Sequence, residues 1–435
     1  MTPLSSKKNN ENFGLSSHQK YLTVRNLSTD IAKPLSAEDQ QVQSMPDVSP
    51  TKWHLGHTTW FFETFLLKQY FPKYQEFSAD FGFAFNSYYE LVGPRQLRAE
   101  RGLITRPAID EVLSYREYVD DYMGKLLSET EPTTLENLKY LIELGLNHEE
   151  QHQELALMDI KHVFSRNPIS PAYQHSKPAL IASTHKTEWF SIRGGEYKLG
   201  HSDENCFAFD NEGPEHKVLV SDFQIASRCV TNREYLEFIG DNGYKSPEFW
   251  HSDGWDMLVK ENITCPFYWF LDENKNWGEF TLSGNISLNL DAPVCHISYY
   301  EASAFAAWAG KRLPTETEWE IAAKKFKTNR DREVSCNELN SGNLSPVPSG
   351  ELTSNLGPVG MFGDVWEWTS SPYIPYPGFK VAPGAVGEYN GKFMVNQMVL
   401  KGSSCLTPAG HSRITYRNFF YPHQRWIFSG LRLAY

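Results

Sequence analysis

Apolar residues recur at three- and four-residue spacing between about Tyr21 and Phe164, which is the periodicity of helices with one buried face. The pattern is clearest in Trp53–Tyr70, Ile109–Glu129 and Leu135–Phe164. Proline and acidic residues near the start of the last two segments are typical of helix N-termini. Because four helices of this length can pack around a common core, the sequence predicts an N-terminal four-helix bundle, and such a core can hold a metal ion.

After Thr187 the sequence no longer shows the helical pattern. Predicted strands are short, glycine and tryptophan are frequent, and the connections are long. One helix is predicted over Ser298–Gly310, and a second begins near Glu316, where Pro314 and several acidic residues mark an N-terminus. The predicted fold class is therefore α+β, with a helical bundle followed by a mixed α/β domain.

Four segments are predicted along the 435 residues. Residues 1–20 are polar and expected to be disordered, 21–164 form the bundle, 165–186 form a linker, and 187–435 form the second domain. A chain of this length allows each domain to bury its own core. All six cysteines lie in the second half without a Cys-x-x-Cys pair, so we expect free thiols.

The formal net charge is −12, and no basic face is evident, which argues against nucleic-acid binding. The N-terminus has no apolar core of signal-peptide length, and no later apolar run is long enough to span a bilayer. We therefore expect a cytoplasmic protein that binds neither nucleic acid nor membranes. The sequence does not indicate an oligomeric state.

Two histidines, His148 and His152, lie four residues apart in a predicted helix and so share one helix face. A third, His57, has Trp53 and Trp60 at helical neighbour spacing, which points its face into the bundle. Together the three predict a metal site with open positions for substrates, and open positions are typical of catalytic sites. Imidazole ligands suit iron, zinc, copper and nickel.

Two other histidines compete for the same role. His54 is flanked by threonines at helical spacing and is predicted to be more peripheral. His162 continues the face of the His148 pair, but we interpret it as a helix-end histidine stabilised by the helix dipole. A buried histidine that hydrogen-bonds to a carbonyl is the structural alternative for each candidate ligand.

Motifs in both halves resemble a known family. The first half is similar to a DinB-type four-helix bundle, and the second to the formylglycine-generating-enzyme fold, a variant of the C-type lectin fold. The pairing of the two, with His-x-x-x-His in the first, resembles the sulfoxide synthases of ergothioneine biosynthesis. The motifs of the second half are Phe190–Gly195, Lys311–Glu320, Gly363–Thr369 and Ser429–Arg432.

The resemblance implies a non-haem Fe(2+) enzyme that joins cysteine or γ-glutamylcysteine to carbon 2 of hercynine, with dioxygen as oxidant. It implies that His57, His148 and His152 are the metal ligands and that Gln151 hydrogen-bonds to the substrate imidazole. The structural alternative for Gln151 is an ordinary glutamine on the helix surface.

The paired tyrosines Tyr88 and Tyr89 match the proton donor of one branch of the family, and a phenol can serve in that role. The other branch takes its donor from a Tyr-x-x-Tyr segment. Here that stretch reads Val386-Gly387-Glu388-Tyr389, so Tyr389 is interpreted as a pocket wall. Aromatic packing before a Gly-Pro turn is the structural alternative for the tyrosine pair.

Arginines near the tyrosine pair can bind a carboxylate in two-point geometry. Arg95 and Arg98 are predicted to hold the carboxylate of the sulfur donor, with Arg101 and Arg106 close enough in sequence to compete. Solvated surface arginines are the structural alternative.

Near the C-terminus, Asn418 matches the family asparagine at the betaine group of hercynine, and Phe419 falls where some members have tryptophan. Phe420 stands where members that use γ-glutamylcysteine have an aspartate, so we expect free cysteine as donor. A hydrophobic core strand is the structural alternative. Trp366 and Trp368 are interpreted as fold residues, and Cys405 as a small apolar residue, because no partner cysteine for a copper site follows it.

Four other functions fit the same sequence motifs. A selenoneine synthase would use the same three histidines with a selenosugar, and an ovothiol-type synthase would modify carbon 5 of histidine, although no appended methyltransferase region follows. A zinc-dependent DinB-type thiol transferase and a non-catalytic lectin-type binding module are the two rivals of a different class.

Overall fold

The computed structural model describes residues 17–174, 186–203, 206–326, 336–350, 357–382 and 384–435. Its first part is helical, with helices α1 Ser17–Ala32, α2 Thr51–Phe62, α3 Lys68–Tyr70, α4 Ala79–Phe85, α5 Ile109–Glu129 and α6 Pro132–Arg166. Residues 1–16 of the segment expected to be disordered lie outside the described ranges. Residues 17–20 of that segment are helical instead, because α1 extends about one turn ahead of its first buried side chain, Tyr21.

The long helices α1, α2, α5 and α6 pack against one another as the predicted four-helix bundle. The bounds of α5 are those expected from the sequence, whereas α6 begins three residues earlier, with Pro132 in the first turn, where its missing N–H costs nothing. The predicted helix at 53–70 is interrupted by a π-helical turn at Glu63–Leu67. The buried Glu63 carboxylate accepts a hydrogen bond from the Tyr115 hydroxyl at 2.5 Å, which ties this turn to α5.

The second part is a mixed α/β domain, and helices α9 and α10 lie close to their predicted positions. Its helices are α7 Asn232–Gly240, α8 Ser252–Glu261, α9 Tyr299–Trp308 and α10 Glu316–Phe326. Its strands are β1 Trp189–Ile192, β2 Gly195–Leu199, β3 His216–Val220, β4 Phe223–Cys229, β5 Trp269–Leu271, β6 Trp277–Thr281, β7 Gly284–Ser287, β8 Trp366–Pro372, β9 Met398–Lys401, β10 Asn418–Phe420, β11 Ser429–Gly430 and β12 Arg432–Ala434. Ser298 caps α9 by accepting from the Glu301 N–H at 3.1 Å.

The strands of the described residues form four small sheets with the orders β1-β4-β12, β10-β9-β8-β11, β2-β3 and β5-β6-β7. Pairing is antiparallel except between β8 and β11. Strand β10 lies at the edge of its sheet, paired only with β9 among the named strands. This edge position brings residues 418–420 to the side of the domain that faces the bundle.

Helix α6 joins the two domains through buried polar contacts. The Glu154 carboxylate accepts hydrogen bonds from Trp366 Nε1 at 2.8 Å, Ser404 Oγ at 2.5 Å and Thr407 Oγ1 at 2.9 Å. About two turns after Glu154 on α6, Lys161 Nζ lies 2.6 Å from His296 Nε2. These contacts fix the domain that carries β10 against the histidine-bearing helix.

All six cysteines are free thiols, and Cys405 is fully buried as a small apolar residue, as predicted. Helix α6 continues to Arg166, and residues 175–185 of the predicted linker lie outside the described ranges. Within the ranges described, no helix is long and apolar enough to cross a membrane.

Candidate metal centre and cleft

The structure brings His57 of α2 together with His148 and His152 of α6. One nitrogen from each of the three imidazoles lies within 4.8 Å of the others. The closest pair is His57 Nε2 and His148 Nε2, at 3.2 Å. Three converging nitrogens of this kind fit a metal ion that accepts imidazole ligands.

Rings of the bundle core hold His57 in place. Its imidazole stacks on the Trp53 ring, with centroids 4.6 Å apart and an interplanar angle of 12°. It also stacks on the Trp60 ring, with centroids 5.6 Å apart. His57 Nδ1 donates to the Phe85 carbonyl at 2.6 Å, which leaves Nε2 as the bare nitrogen. Local helical spacing therefore aims His57 inward, as the sequence predicted.

The three imidazoles are neutral in this environment. Burial lowers the pKa of His148 to about 3 and lowers the pKa of His57 well below its ordinary value. Burial and the neighbouring imidazoles act on the pKa of His152 in the same direction. A neutral imidazole is the form that binds a metal, so proton competition for this site is weak at neutral pH.

His54 is not peripheral, contrary to the sequence-based expectation. Its side chain is buried, Nδ1 lies 2.8 Å from His152 Nδ1, and Nε2 lies 2.9 Å from Asp159 Oδ2. The flanking threonines Thr51 and Thr58 misled the prediction because both are buried within the bundle. Every residue of α2 is buried, so polarity on this helix does not mark a solvent face.

His162 lies apart from the triad. Its Nδ1 hydrogen-bonds to Ser44 Oγ at 2.6 Å, and its ring stacks on Phe267 at 5.7 Å. Burial lowers its pKa to about 4, so it is neutral rather than a cation stabilised by the helix dipole. That part of the sequence-based interpretation was wrong.

Glu149, next to His148, was not singled out by the sequence and anchors the histidine-bearing helix α6 from its other face. Its buried carboxylate pairs with Arg25 Nη1 at 2.8 Å and with Arg116, and it accepts from Ser28 Oγ at 2.5 Å. Although burial raises its pKa, the guanidinium groups of Arg116 and Arg25 outweigh burial and lower it to about 2. Glu149 therefore ties α6 to both α1 and α5 as an ionised carboxylate.

A cleft of about 390 Å³ lies between the bundle and the second domain, next to the triad. His152 and His54 form part of its wall, and all seven residues predicted to bind substrate line it as well, together with the predicted catalytic residue Tyr88. These are Tyr88, Arg95, Arg98, Gln151, Tyr389, Asn418, Phe419 and Phe420. Clefts of this size between domains are usual places for small-molecule sites.

Of the predicted tyrosine pair, Tyr88 lines the cleft, whereas Tyr89 lies behind it against Trp60 and Phe65. The two tyrosine rings lie next to each other, with centroids 4.9 Å apart. Burial raises the pKa of Tyr88 well above its usual range, so its hydroxyl keeps its proton at neutral pH. The same holds for Tyr389, whose ring lies 5.8 Å from the His148 ring.

Gln151 reaches the cleft beside the triad, and both ends of its amide are engaged. The Tyr389 hydroxyl donates to Gln151 Oε1, and Gln151 Nε2 donates to the Tyr416 hydroxyl at 2.6 Å. Tyr416 was not among the residues identified from the sequence. The amide is thus presented to the cleft by two aromatic side chains of the second domain.

The arginines differ in their surroundings. Arg95 pairs with Glu90 at 2.9 Å, and Arg98 donates to the Asp47 carbonyl. Arg101 is 6% exposed, lies over the Trp53 ring at 3.4 Å, and donates to Ser49 Oγ at 2.9 Å. Arg101 forms no ion pair with any described residue and lines the cleft, whereas Arg106 is not part of the lining.

At the opposite wall, β10 presents its three residues to the cleft. Phe419 stacks on Tyr373 with centroids 4.1 Å apart, and Phe393 lies 6.0 Å from it. Asn418 Oδ1 accepts from the Phe419 N–H at 2.9 Å. Phe420 contacts Trp426 edge-on at 6.2 Å. The cleft wall here is aromatic, and Phe420 itself contributes no charge.

Comparison with known proteins gives matches to both domains. The DinB superfamily matches residues 20–156, and the sulfatase-modifying factor enzyme 1-like domain family matches residues 177–435. Hercynine oxygenase of Mycolicibacterium thermoresistibile is 32% identical over 415 residues, which is 90% of this chain and 88% of that protein. Hercynine oxygenase of Mycobacterium tuberculosis is 32% identical over 313 residues, 68% of this chain and 71% of that protein. Among solved structures, PvdO from Pseudomonas aeruginosa covers 57% of this chain and 93% of its own, with 19% identity and a TM-score of 0.37.

The fold and the triad define a two-domain protein that joins a DinB-type bundle, with a candidate metal site, to a domain of the formylglycine-generating-enzyme type. The chain belongs to the hercynine oxygenase family, the sulfoxide synthases of ergothioneine biosynthesis. The family resemblance and the fold class predicted from the sequence are confirmed.

Proposed function

We propose that this protein is an oxygen-dependent, non-haem iron(II) sulfoxide synthase that joins cysteine to carbon 2 of the hercynine imidazole. Hercynine, cysteine and dioxygen give hercynylcysteine sulfoxide and water. The C–H bond at carbon 2 and the thiol S–H bond break, a C–S and an S–O bond form, and the electrons removed reduce dioxygen. The observation that carries the proposal is the convergence of three imidazoles beside the cleft in a member of the hercynine oxygenase family.

The proposed iron ligands are His57, His148 and His152. The donor set fits a divalent iron ion, because all three imidazoles are neutral and converge from two helices. Bound there, iron would supply the redox chemistry with dioxygen and would lower the pKa of the sulfur donor's thiol. The protein's own part is to hold the reactants next to one another, which can remove up to roughly 7–11 kcal/mol of a barrier in the best cases.

Substrate recognition is assigned to both cleft walls. The trimethylammonium group of hercynine has no N–H to donate, so aromatic faces and oxygen lone pairs must hold it, as Phe419 and Asn418 offer. We assign the Gln151 amide to the imidazole of hercynine, which would replace the hydroxyl of either Tyr389 or Tyr416 as its hydrogen-bond partner. Arg95, Arg98 and the buried Arg101 make one wall cationic, which suits the carboxylates of both substrates.

Tyr88 is the proposed proton donor, since it faces the cleft and holds its proton at neutral pH. A Tyr88→Phe variant is expected to lose sulfoxide formation by about 100-fold or more, the usual range for removal of a general acid, while still binding iron. Initial rates of product formation and the iron content of the purified variant measure this. Tyr89→Phe and Tyr389→Phe are the matched variants, because each removes only the hydroxyl of a tyrosine that neighbours Tyr88. Full sulfoxide yield from both Tyr88→Phe and Tyr89→Phe would contradict the assignment to this pair.

Free cysteine is the proposed donor because Phe420 puts an uncharged ring into the cleft wall at the position where members that use γ-glutamylcysteine have an aspartate for the donor's amino group. A Phe420→Asp variant is expected to shift the kcat/KM ratio toward γ-glutamylcysteine by about tenfold, since a hydrogen bond to a charged group contributes about 1.5–3 kcal/mol. Competition between the two donors in one reaction measures the ratio. Phe420→Asn, which adds polarity without charge, is the control. An unchanged donor ratio in Phe420→Asp removes the argument for cysteine.

Oxygen uptake with product identification by mass spectrometry tests the proposed function. Protein loaded with Fe(II) is given hercynine together with cysteine, γ-glutamylcysteine or a selenosugar in turn. The proposal predicts oxygen-dependent formation of the sulfoxide, fastest with cysteine. Oxygen-independent turnover with zinc would indicate a thiol transferase, and ligand binding that survives chelators without turnover would indicate a binding module. The cytoplasmic location expected from the sequence stays a prediction.

A further inference from the structure

Next to the triad, a line of hydrogen bonds runs from His152 along the bundle side of the cleft. His152 Nδ1 lies 2.8 Å from His54 Nδ1, and His54 Nε2 lies 2.9 Å from Asp159 Oδ2. The same carboxylate oxygen accepts from the Ser49 N–H at 2.7 Å. His54, Asp159 and Ser49 are each at most 5% exposed, and all three line the cleft beside His152.

The chemistry of the groups fixes where the protons lie. A carboxylate oxygen that already accepts from the Ser49 N–H acts as an acceptor toward His54 as well, so His54 Nε2 carries a proton. If Nε2 carries the single ring proton of His54, its Nδ1 is bare and can only accept. His152 Nδ1 must then be the donor across the 2.8 Å contact, and His152 Nε2 is left bare.

Both partners stand on the helices that carry the ligands. His54 precedes His57 by about one turn on α2, and Asp159 follows His152 by about two turns on α6. The line therefore joins the two helices at the level of the triad. His57 is oriented in the same way, through Nδ1 and the Phe85 carbonyl, whereas buried His148 Nδ1 has no hydrogen-bond partner among the described residues.

We propose that His54 and Asp159 are positioning residues for the metal site. They hold His152 in the tautomer protonated at Nδ1, with Nε2 free to bind the ion, and they restrict rotation of the ring. Outer hydrogen-bond partners of this kind commonly contribute about 10–100-fold to metal affinity. This inference rests on the proposed metal site, but not on the identity of the metal, the donor or the reaction.

Metal affinity measured without substrates tests the inference. The dissociation constant for Zn(II) is determined by competition with a chelator, and the visible spectrum of the Co(II) form reports the ligand geometry. His54→Leu is expected to weaken Zn(II) binding by about 10–100-fold and to alter the Co(II) spectrum. His54→Gln, whose amide can accept from His152 and donate to Asp159, is expected to restore most of the affinity. Asp159→Asn is expected to fall between the two.

His162→Leu, also on α6, is the matched control and should leave Zn(II) binding unchanged. The proposal would be overturned if a folded His54→Leu variant bound Zn(II) as tightly as the unchanged protein. It would also be overturned if His54→Gln bound Zn(II) no more tightly than His54→Leu. A wild-type protein that binds neither Zn(II) nor Co(II) would instead contradict the proposed metal centre itself.

Nitrogen NMR of the histidine rings gives a second test that needs no variant to fold. In the metal-free protein, the expected state has His152 protonated at Nδ1 and His54 protonated at Nε2. Addition of Zn(II) should then shift the Nε2 resonance of His152. A metal-free state with His152 protonated at Nε2 would overturn the proposal.

Discussion

Replacement of His148 with alanine is expected to weaken Fe(II) binding by more than about 100-fold and to abolish sulfoxide formation. The variant removes one of three converging nitrogens and leaves His57 Nε2 without its closest partner, 3.2 Å away. Loss of an outer hydrogen-bond partner alone commonly reduces metal affinity about 10–100-fold, so loss of a ligand should exceed that range. Chelator competition gives the affinity, and mass spectrometry gives the product.

The control for this prediction is His162→Ala, which removes a histidine of the same helix that bonds to Ser44 rather than to the triad. It should keep both metal and activity. The three-histidine assignment fails if His148→Ala binds iron as tightly as the unchanged protein does, or if His162→Ala loses iron to the same extent.

Replacement of Glu149 with glutamine is expected to lower the free energy of unfolding by about 3–5 kcal/mol, the usual result of removing one partner from a buried ion pair. The substitution leaves the buried guanidinium groups of Arg25 and Arg116 facing a neutral amide. Because Glu149 adjoins His148, the affinity for metal should also fall. Urea unfolding of the metal-free protein measures the stability change.

The effect of Glu149→Gln should depend on pH in a defined direction. The folded-state pKa of about 2 lies below the ordinary value of 4.5, so the ionised carboxylate stabilises the fold above about pH 4.5. That contribution is lost as the pH falls from about 4.5 toward 2, and the difference between the two proteins should shrink over the same window. Glu136→Gln, with a side chain 76% exposed, is the control and should change stability by less than about 0.5 kcal/mol. Equal stability of the Glu149 variant at pH 7 would contradict this role.

The sequence predicted the features that depend on local spacing. Helix α5 was predicted with its observed bounds, because apolar periodicity and an acidic first turn mark it, and the Glu111 side chain does accept from the Ala108 N–H at 2.8 Å. The convergence of His57 with His148 and His152 followed from helical faces and from the family motif. Helical periodicity and the family motif can each be recognised within a single helical stretch of the sequence.

Features that depend on contacts between distant segments were not predictable in this way. His54 is assigned to the periphery because polar neighbours normally indicate solvent, yet Thr51 and Thr58 are buried, and Thr58 accepts a hydrogen bond from the buried Arg116 of α5. Arg101 is only a competitor of Arg95 and Arg98 in the sequence-based prediction, because sequence spacing does not show that its side chain is buried. Its position over Trp53 depends on the short 3₁₀ turn at Arg98–Leu103, which carries it back onto α2.

X-ray absorption at the iron edge of the Fe(II)-loaded protein identifies the ligands of the metal, because imidazole ligands give a recognisable multiple-scattering pattern. Three imidazoles on each iron are expected in the unchanged protein, and two in His148→Ala if any iron is retained. Fewer than three imidazoles in the unchanged protein, or thiolate ligation from one of its own cysteines, would contradict a three-histidine centre.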